Sequence, residues 1–185
     1  MGELKFLIDL KVIQIKVWVK HSDPNNKYGA KFTLGERDIQ LPDTAIISVT
    51  RGERFNIFRI IINGIVNEIV KKQLVKNNDL LYAELSGQIQ GGIGQTVTVW
   101  KDINSMNNFR TKGAHSFAKK FFAWVFYSGE VQAYFLTWRI SKQIPTNTEI
   151  EETVKKHGRF FDGGRLVRQA QQPRKNTKLN NEKNK

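Results

Sequence analysis

The chain has 185 residues, 39% of them hydrophobic, and carries 30 Lys and Arg against 17 Asp and Glu, a net charge of +13. That length suits one domain with extensions at its ends, and the modest apolar share places part of the chain outside a core. Cysteine is absent, which excludes disulfides, thiol nucleophiles, thiolate metal sites and iron–sulfur clusters.

Met1-Gly2-Glu3-Leu4-Lys5 lacks the uninterrupted apolar core of a signal peptide, and no window of about 18 residues is apolar and free of charge. A soluble cytoplasmic protein with no membrane partner is the expectation. Residues 1–43 read as an N-terminal β-hairpin extension. Ile13, Ile15, Val17 and Val19 alternate with Gln14, Lys16, Trp18 and Lys20, the period of a half-buried strand, Ser22-Asp23-Pro24-Asn25-Asn26 signals a turn, and Tyr28 to Leu34 supplies a return strand. A domain over 44–162 follows. Ala45 to Thr50 is β-branched and short, the signature of a strand.

Phe58, Ile61, Ile62, Ile65, Ile69 and Val70 then recur at helical spacing, with Asn63 and Asn67 elsewhere on the helix. Gly64 within it suggests close packing. Leu80–Gln88 and Gln95–Lys101 read as strands joined by a glycine-rich hairpin with a bulge, because a phosphate-binding glycine loop opens a helix instead. Helices are predicted at about Ile103–Arg110 and Ala114–Phe126, with Gly113 between them, and a strand at Gln132–Ile140. The order β-α-β-β-α-β is the ferredoxin-like unit, an α+β class with one antiparallel sheet and both helices on one face. Covering the other face with a second copy would give a homodimer, a dimeric α+β barrel.

The positive excess lies beyond residue 100, and residues 163–185 are rich in Lys, Arg, Asn and Gln. Such a basic tail is predicted to be disordered.

Three runs carry a resemblance: Val99-Trp100-Lys101-Asp102, Met106-Asn107-Asn108-Phe109 and Gly113-Ala114-His115. Together they resemble a pattern of the dimeric α+β barrel superfamily, which includes antibiotic-biosynthesis monooxygenases and spheroidene-type monooxygenases. Leu136-Thr137-Trp138, Ile144-Pro145-Thr146, Glu149 and Lys156-His157-Gly158 look closer still to a group of uncharacterised bacterial proteins in that superfamily. Haem-degrading members carry a Trp where this chain has Phe109, and an axial His further on than His115. The resemblance implies a monooxygenase-like protein that oxygenates a small apolar or aromatic ligand, with haem or with no cofactor.

On that reading His115 is the catalytic polar group, and Trp100, Phe109, Trp124, Tyr134 and Trp138 wall a pocket between the sheet and the helix at 114–126. Phe117, Phe121 and Trp124 also fit the ordinary buried stripe of that helix. His21 and His157 have no ligand partners at suitable spacing, so no metal site is expected. The alternative is a non-enzymatic binding module, its basic face and tail engaging nucleic acid or an acidic partner.

Overall fold

Eight strands form one sheet in the computed structural model of the chain, which describes residues 16–21, 29–113, 116 and 129–173. They are β1 (Trp18–His21), β2 (Gly29–Leu34), β3 (Ile46–Glu53), β4 (Leu80–Gln88), β5 (Ile93–Trp100), β6 (Gln132–Arg139), β7 (Arg159–Asp162) and β8 (Arg165–Arg168). Among the described residues the helices are α1 (Ile57–Val75), α2 (Ile103–Thr111) and α3 (Asn147–His157). The strand order is β1-β2-β4-β5-β3-β6-β7-β8, with every neighbouring pair antiparallel. The architecture is therefore α+β, and its middle strands β4-β5-β3-β6 hold the order of a β-α-β-β-α-β unit.

Strand β3 shows how sequence sets the two faces. Side chains alternate across a strand, so Ile47, Val49 and Arg51 face one way while Ile46, Ser48 and Thr50 face the other. Register carries the division to its neighbours. Val49 lies opposite Val97 and Leu136, and Ser48 lies opposite Thr98 and Thr137. The first face packs Ile47, Val49, Val97, Val99 and Leu136 against Ile150 and Val154 of α3, with Leu41, Ile140 and Ile144 filling in. The second packs Ile46, Leu80, Ala83, Leu85 and Trp100 against Val66, Val70 and Leu74 of α1 and Met106 and Phe109 of α2. Being sandwiched, β3 reads as a near-continuous buried strand.

The helices begin where their caps require. Asn56 accepts the Arg59 backbone N–H at 3.0 Å ahead of α1, and Asp102 accepts that of Ser105 at 2.8 Å ahead of α2. The Ser105 N–H holds the Asp102 carboxyl below its ordinary range. At α3 the Thr146 hydroxyl accepts the Glu149 N–H while the Glu149 carboxylate accepts the Thr146 N–H at 2.7 Å, a reciprocal capping box. The same bonds hold the Glu149 carboxyl below its usual range.

Several sequence expectations are corrected. The face for which a second copy was the expected cover is closed by α3 of the same chain, because Ile150 and Val154 present an apolar edge that Leu136 and Val97 bury. In the N-terminal hairpin, whose strand β2 pairs with β4 from Gly29–Gln88 to Leu34–Ala83, Trp18 packs toward the core while Val17 and Val19 are exposed. The predicted tail begins with ordered chain. Gly163 and Gly164 both adopt positive φ, a conformation open to glycine, and turn β7 back into β8. Arg168 then donates to the carbonyls of Gly158, at 3.0 Å, and Lys155. Gly64 marks no close packing, for a Cβ there would meet nothing within 4 Å. The register shift of the β4–β5 pair falls between Leu80 and Tyr82, at the end away from the glycine-rich turn. The helix predicted at 114–126 and the tail from 174 lie outside the described residues.

Helix α1 is turned relative to the sequence expectation. Val66, Val70 and Leu74 are the buried positions, while Ile61, Ile65 and Ile69 are 56%, 57% and 42% exposed. The side of the helix that meets the sheet thus carries Asn63 and Asn67 together with the valines.

Candidate ligand cavity

A cavity of about 530 Å³ lies between α1 and the sheet face it covers. Its floor is the middle of the sheet: Ser48 and Thr50 from β3, Thr96 and Thr98 from β5, and Phe135 and Thr137 from β6. These six positions are cross-strand neighbours, Ser48 opposite both Thr98 and Thr137, and Thr50 opposite both Thr96 and Phe135. Five of them are hydroxyls on a face that a helix covers, where a dry core would use aliphatic groups. Three are partly used within the floor, the Thr137 hydroxyl lying 3.0 Å from that of Ser48 and the Thr98 hydroxyl 3.3 Å from the Ser48 carbonyl. Thr50 and Thr96 make no side-chain hydrogen bond to another described residue.

The walls are apolar. Val66, Val70 and Leu74 come from α1, and Met106 and Phe109 from α2. Trp100 closes one end, its ring centroid 4.9 Å from that of Phe109 at an interplanar angle of 38°. The Trp100 indole N–H is buried with no partner among the described residues. An orphaned donor of this kind costs about 1–3 kcal/mol. Asn63 and Asn67 add amides from above, and Arg110, Arg159 and Ala170 stand at the exposed rim.

Of the residues predicted from sequence, Trp100 and Phe109 are brought together at this cavity. Tyr134 and Trp138 are not with them. Their register partners are Arg51 and Ile47, which puts both on the α3 face. Tyr134 stacks on Phe160 at 4.6 Å, and burial, with the nearby Glu53 carboxylate, pushes its hydroxyl up. His115 and Trp124 lie outside the described residues. Among the described residues no three His, Cys, Asp or Glu side chains gather as a metal site.

Sequence reasoning passed over the hydroxyl floor and the two asparagines. The signal was present in Thr96-Val97-Thr98-Val99, whose strict alternation sends both threonines to one face and both valines to the other. Asn63 and Asn67 are one helical turn apart and so share a face.

The α3 face holds the densest polar cluster instead. The Glu84 carboxylate is fully buried and receives the Tyr82 hydroxyl at 2.8 Å, the Asn147 amide at 3.0 Å, Lys31 at 3.1 Å and Arg37 at 3.3 Å. Arg37 also donates to the Pro145 carbonyl and to Asn147. Burial pushes the Tyr82 hydroxyl well up, and its bond to Glu84 adds to this. Arg51, also buried, reaches Glu53, Gln95 and Glu151. These groups are consumed in binding α3 to the sheet.

No protein-family model matches the chain, and no curated protein matches its sequence. Among solved structures it is similar to a conserved protein from Methanosarcina mazei Go1, at 12% identity and a TM-score of 0.41, over 52% of this chain and 94% of that one. It is also similar to a candidate monooxygenase from Lactobacillus acidophilus NCFM, at 6% identity and a TM-score of 0.42, over 56% of this chain and 50% of that one. A candidate monooxygenase from Fusobacterium nucleatum matches at 12% identity and a TM-score of 0.43, over 74% of this chain and 54% of that one. The chain thus spans about half the length of the two monooxygenase structures. Likeness of this degree carries no activity from one protein to another.

Proposed function

We propose that the chain binds a small, largely apolar molecule in the cavity beneath α1. The observation that supports this best is the floor of Ser48, Thr50, Thr96, Thr98 and Thr137 beneath apolar walls. A cavity of this size that combines apolar walls with a few convergent polar groups has the makeup of a ligand site. The two polar sets would orient the ligand, hydroxyls from below and the Asn63 and Asn67 amides from above. Among the described lining residues there is no carboxylate, histidine or lysine, so this part of the wall supplies hydrogen bonds and two guanidinium groups.

Oxygenation of the bound molecule is the chemistry that the sequence resemblance implies. His115, two residues beyond Gly113 in the chain, is the group we assign to it.

The test is calorimetry with a panel of small aromatic and aliphatic compounds on the full chain and on Thr50→Phe, which fills the cavity from its floor. Binding that disappears in a variant with unchanged circular dichroism is the expected result. Equal binding in both proteins would remove the cavity from consideration, and His115→Ala tested for turnover of any compound that binds would decide the catalytic part.

A further inference from the structure

A second cavity, of about 370 Å³, opens on the other side of α1, between that helix and the β2, β4 and β5 strands. Asn63, Asn67 and Gly94 line both cavities. The junction is narrow at Gly94, where a Cβ would come within 3.0 Å of the Asn63 amide nitrogen. Neither asparagine side chain makes a hydrogen bond to another described residue, so both amides can turn aside for chain passing between the cavities.

The two ends differ in charge. At the first mouth Arg110 and Arg159 are exposed, and neither has an acidic partner among the described residues. Arg159 rests over the Phe161 ring, 4.8 Å from its centroid, which holds the guanidinium in place without neutralising it. No carboxylate is among the described residues lining that cavity. At the second cavity Lys71 is paired with Glu68 at 2.6 Å, so its charge is balanced, and Phe32, Phe55, Ile60, Leu85, Ile89 and Ile93 make the lining mainly apolar.

From this asymmetry we infer that the ligand is an elongated organic anion, a straight-chain carboxylate. Its acid group meets Arg110 and Arg159, its chain crosses the hydroxyl floor, and its far end passes Asn63 into the second cavity. Guanidinium groups suit a carboxylate through paired N–H donors. The basic character of the whole chain adds attraction for an anion. The inference rests on the reading of the first cavity as a ligand site, and adds the charge and length of what enters it.

Calorimetry with octanoate, dodecanoate and hexadecanoate, and with hexadecanol as the uncharged control, tests it on the full chain. Affinity is expected to rise from octanoate to hexadecanoate. The double variant Arg110→Gln with Arg159→Gln should weaken hexadecanoate by about tenfold or more, the worth of one charge-assisted contact, and leave hexadecanol unchanged. Asn63→Leu, which narrows the junction, should weaken hexadecanoate by a larger factor than octanoate.

Hexadecanoate binding no tighter than hexadecanol, or unaffected by the arginine changes, would overturn the anion assignment while the cavity reading stands. Octanoate binding as tightly as hexadecanoate would overturn the passage between cavities. If no carboxylate, no alcohol and no compound of the small-molecule panel binds, the cavity reading itself falls, and this inference with it.

Discussion

Replacing Glu84 with Gln isolates the charge that binds α3 to the sheet. The side chain is fully buried and accepts four donors, two of them cationic. Tyr82, Lys31 and Arg37 share one carboxylate oxygen and Asn147 donates to the other. Glutamine therefore keeps the shape but offers its one carbonyl oxygen to a single side, turns an NH₂ donor to the other, and brings no charge to the two cations. Each charge-assisted hydrogen bond contributes about 1.5–3 kcal/mol when desolvated. The Lys31 and Arg37 side chains are 37% and 28% exposed, so solvent recovers part of that loss. The net destabilisation comes to about 2–4 kcal/mol. For a chain of this size that is a fall in melting temperature of roughly 5–15 °C, read by differential scanning calorimetry. A double-mutant cycle with Arg37→Met should show a coupling above about 0.5 kcal/mol. A melting temperature within about 2 °C of the parent would refute the reasoning, and α3 would then be held by Ile150, Val154 and the ion pairs of Glu151 and Lys155 with β3.

The remaining predictions concern the helices and acid stability. Thr146→Ala removes one half of the capping box and should cost about 1 kcal/mol in urea unfolding; no change would mean that Glu149 alone caps α3. Leu74→Ala empties a fully buried position of α1 and should cost about 2–5 kcal/mol, whereas a cost near that of a surface site would mean that α1 is not seated on the sheet. Burial opposes charge on Glu53, but Arg51 and Lys155 outweigh it and hold the carboxyl below its ordinary value of 4.5; Thr146 does the same for Glu149. A carboxyl lowered by folding stabilises above its unfolded value and ceases to do so as pH falls through its folded one. The melting temperature should therefore drop on acidification below about pH 4.5, and less steeply in Glu149→Gln; identical slopes in the two proteins would exclude that residue as a source.

Most of the sheet could be read from residue patterns because period-two alternation and turn residues are local. The Ile46–Glu53 and Ile93–Trp100 strands stand close to where β-branched runs placed them. Which face is which is not local. Trp100 and Trp138 both end strands, yet register sends Trp100 to the α1 face and Trp138 to the α3 face. A pocket drawn from aromatic content alone therefore merged residues from opposite sides of the sheet. Helix α1 misled for a related reason. Its isoleucines form the more obvious stripe, but the hydroxyl floor offers a polar surface that Asn63 and Asn67 can face, and Val66, Val70 and Leu74 complete that side. The ordered β7–β8 hairpin was hidden because its second strand, Arg165 to Arg168, is short and half arginine, so it shares its composition with the basic tail that follows.

The position of β3 in the middle of the sheet has a consequence for how the chain reaches this state. Both of its partners lie far along the sequence, the Ser48–Thr98 contact spanning 50 residues and the Ser48–Thr137 contact 89. The β4–β5 hairpin can close locally, whereas β3 gains its second neighbour only after a long loop has been ordered. Such separations slow the search for the folded state. We expect β4 and β5 to gain amide protection first during refolding, and β3 with β6 to be the slow partners.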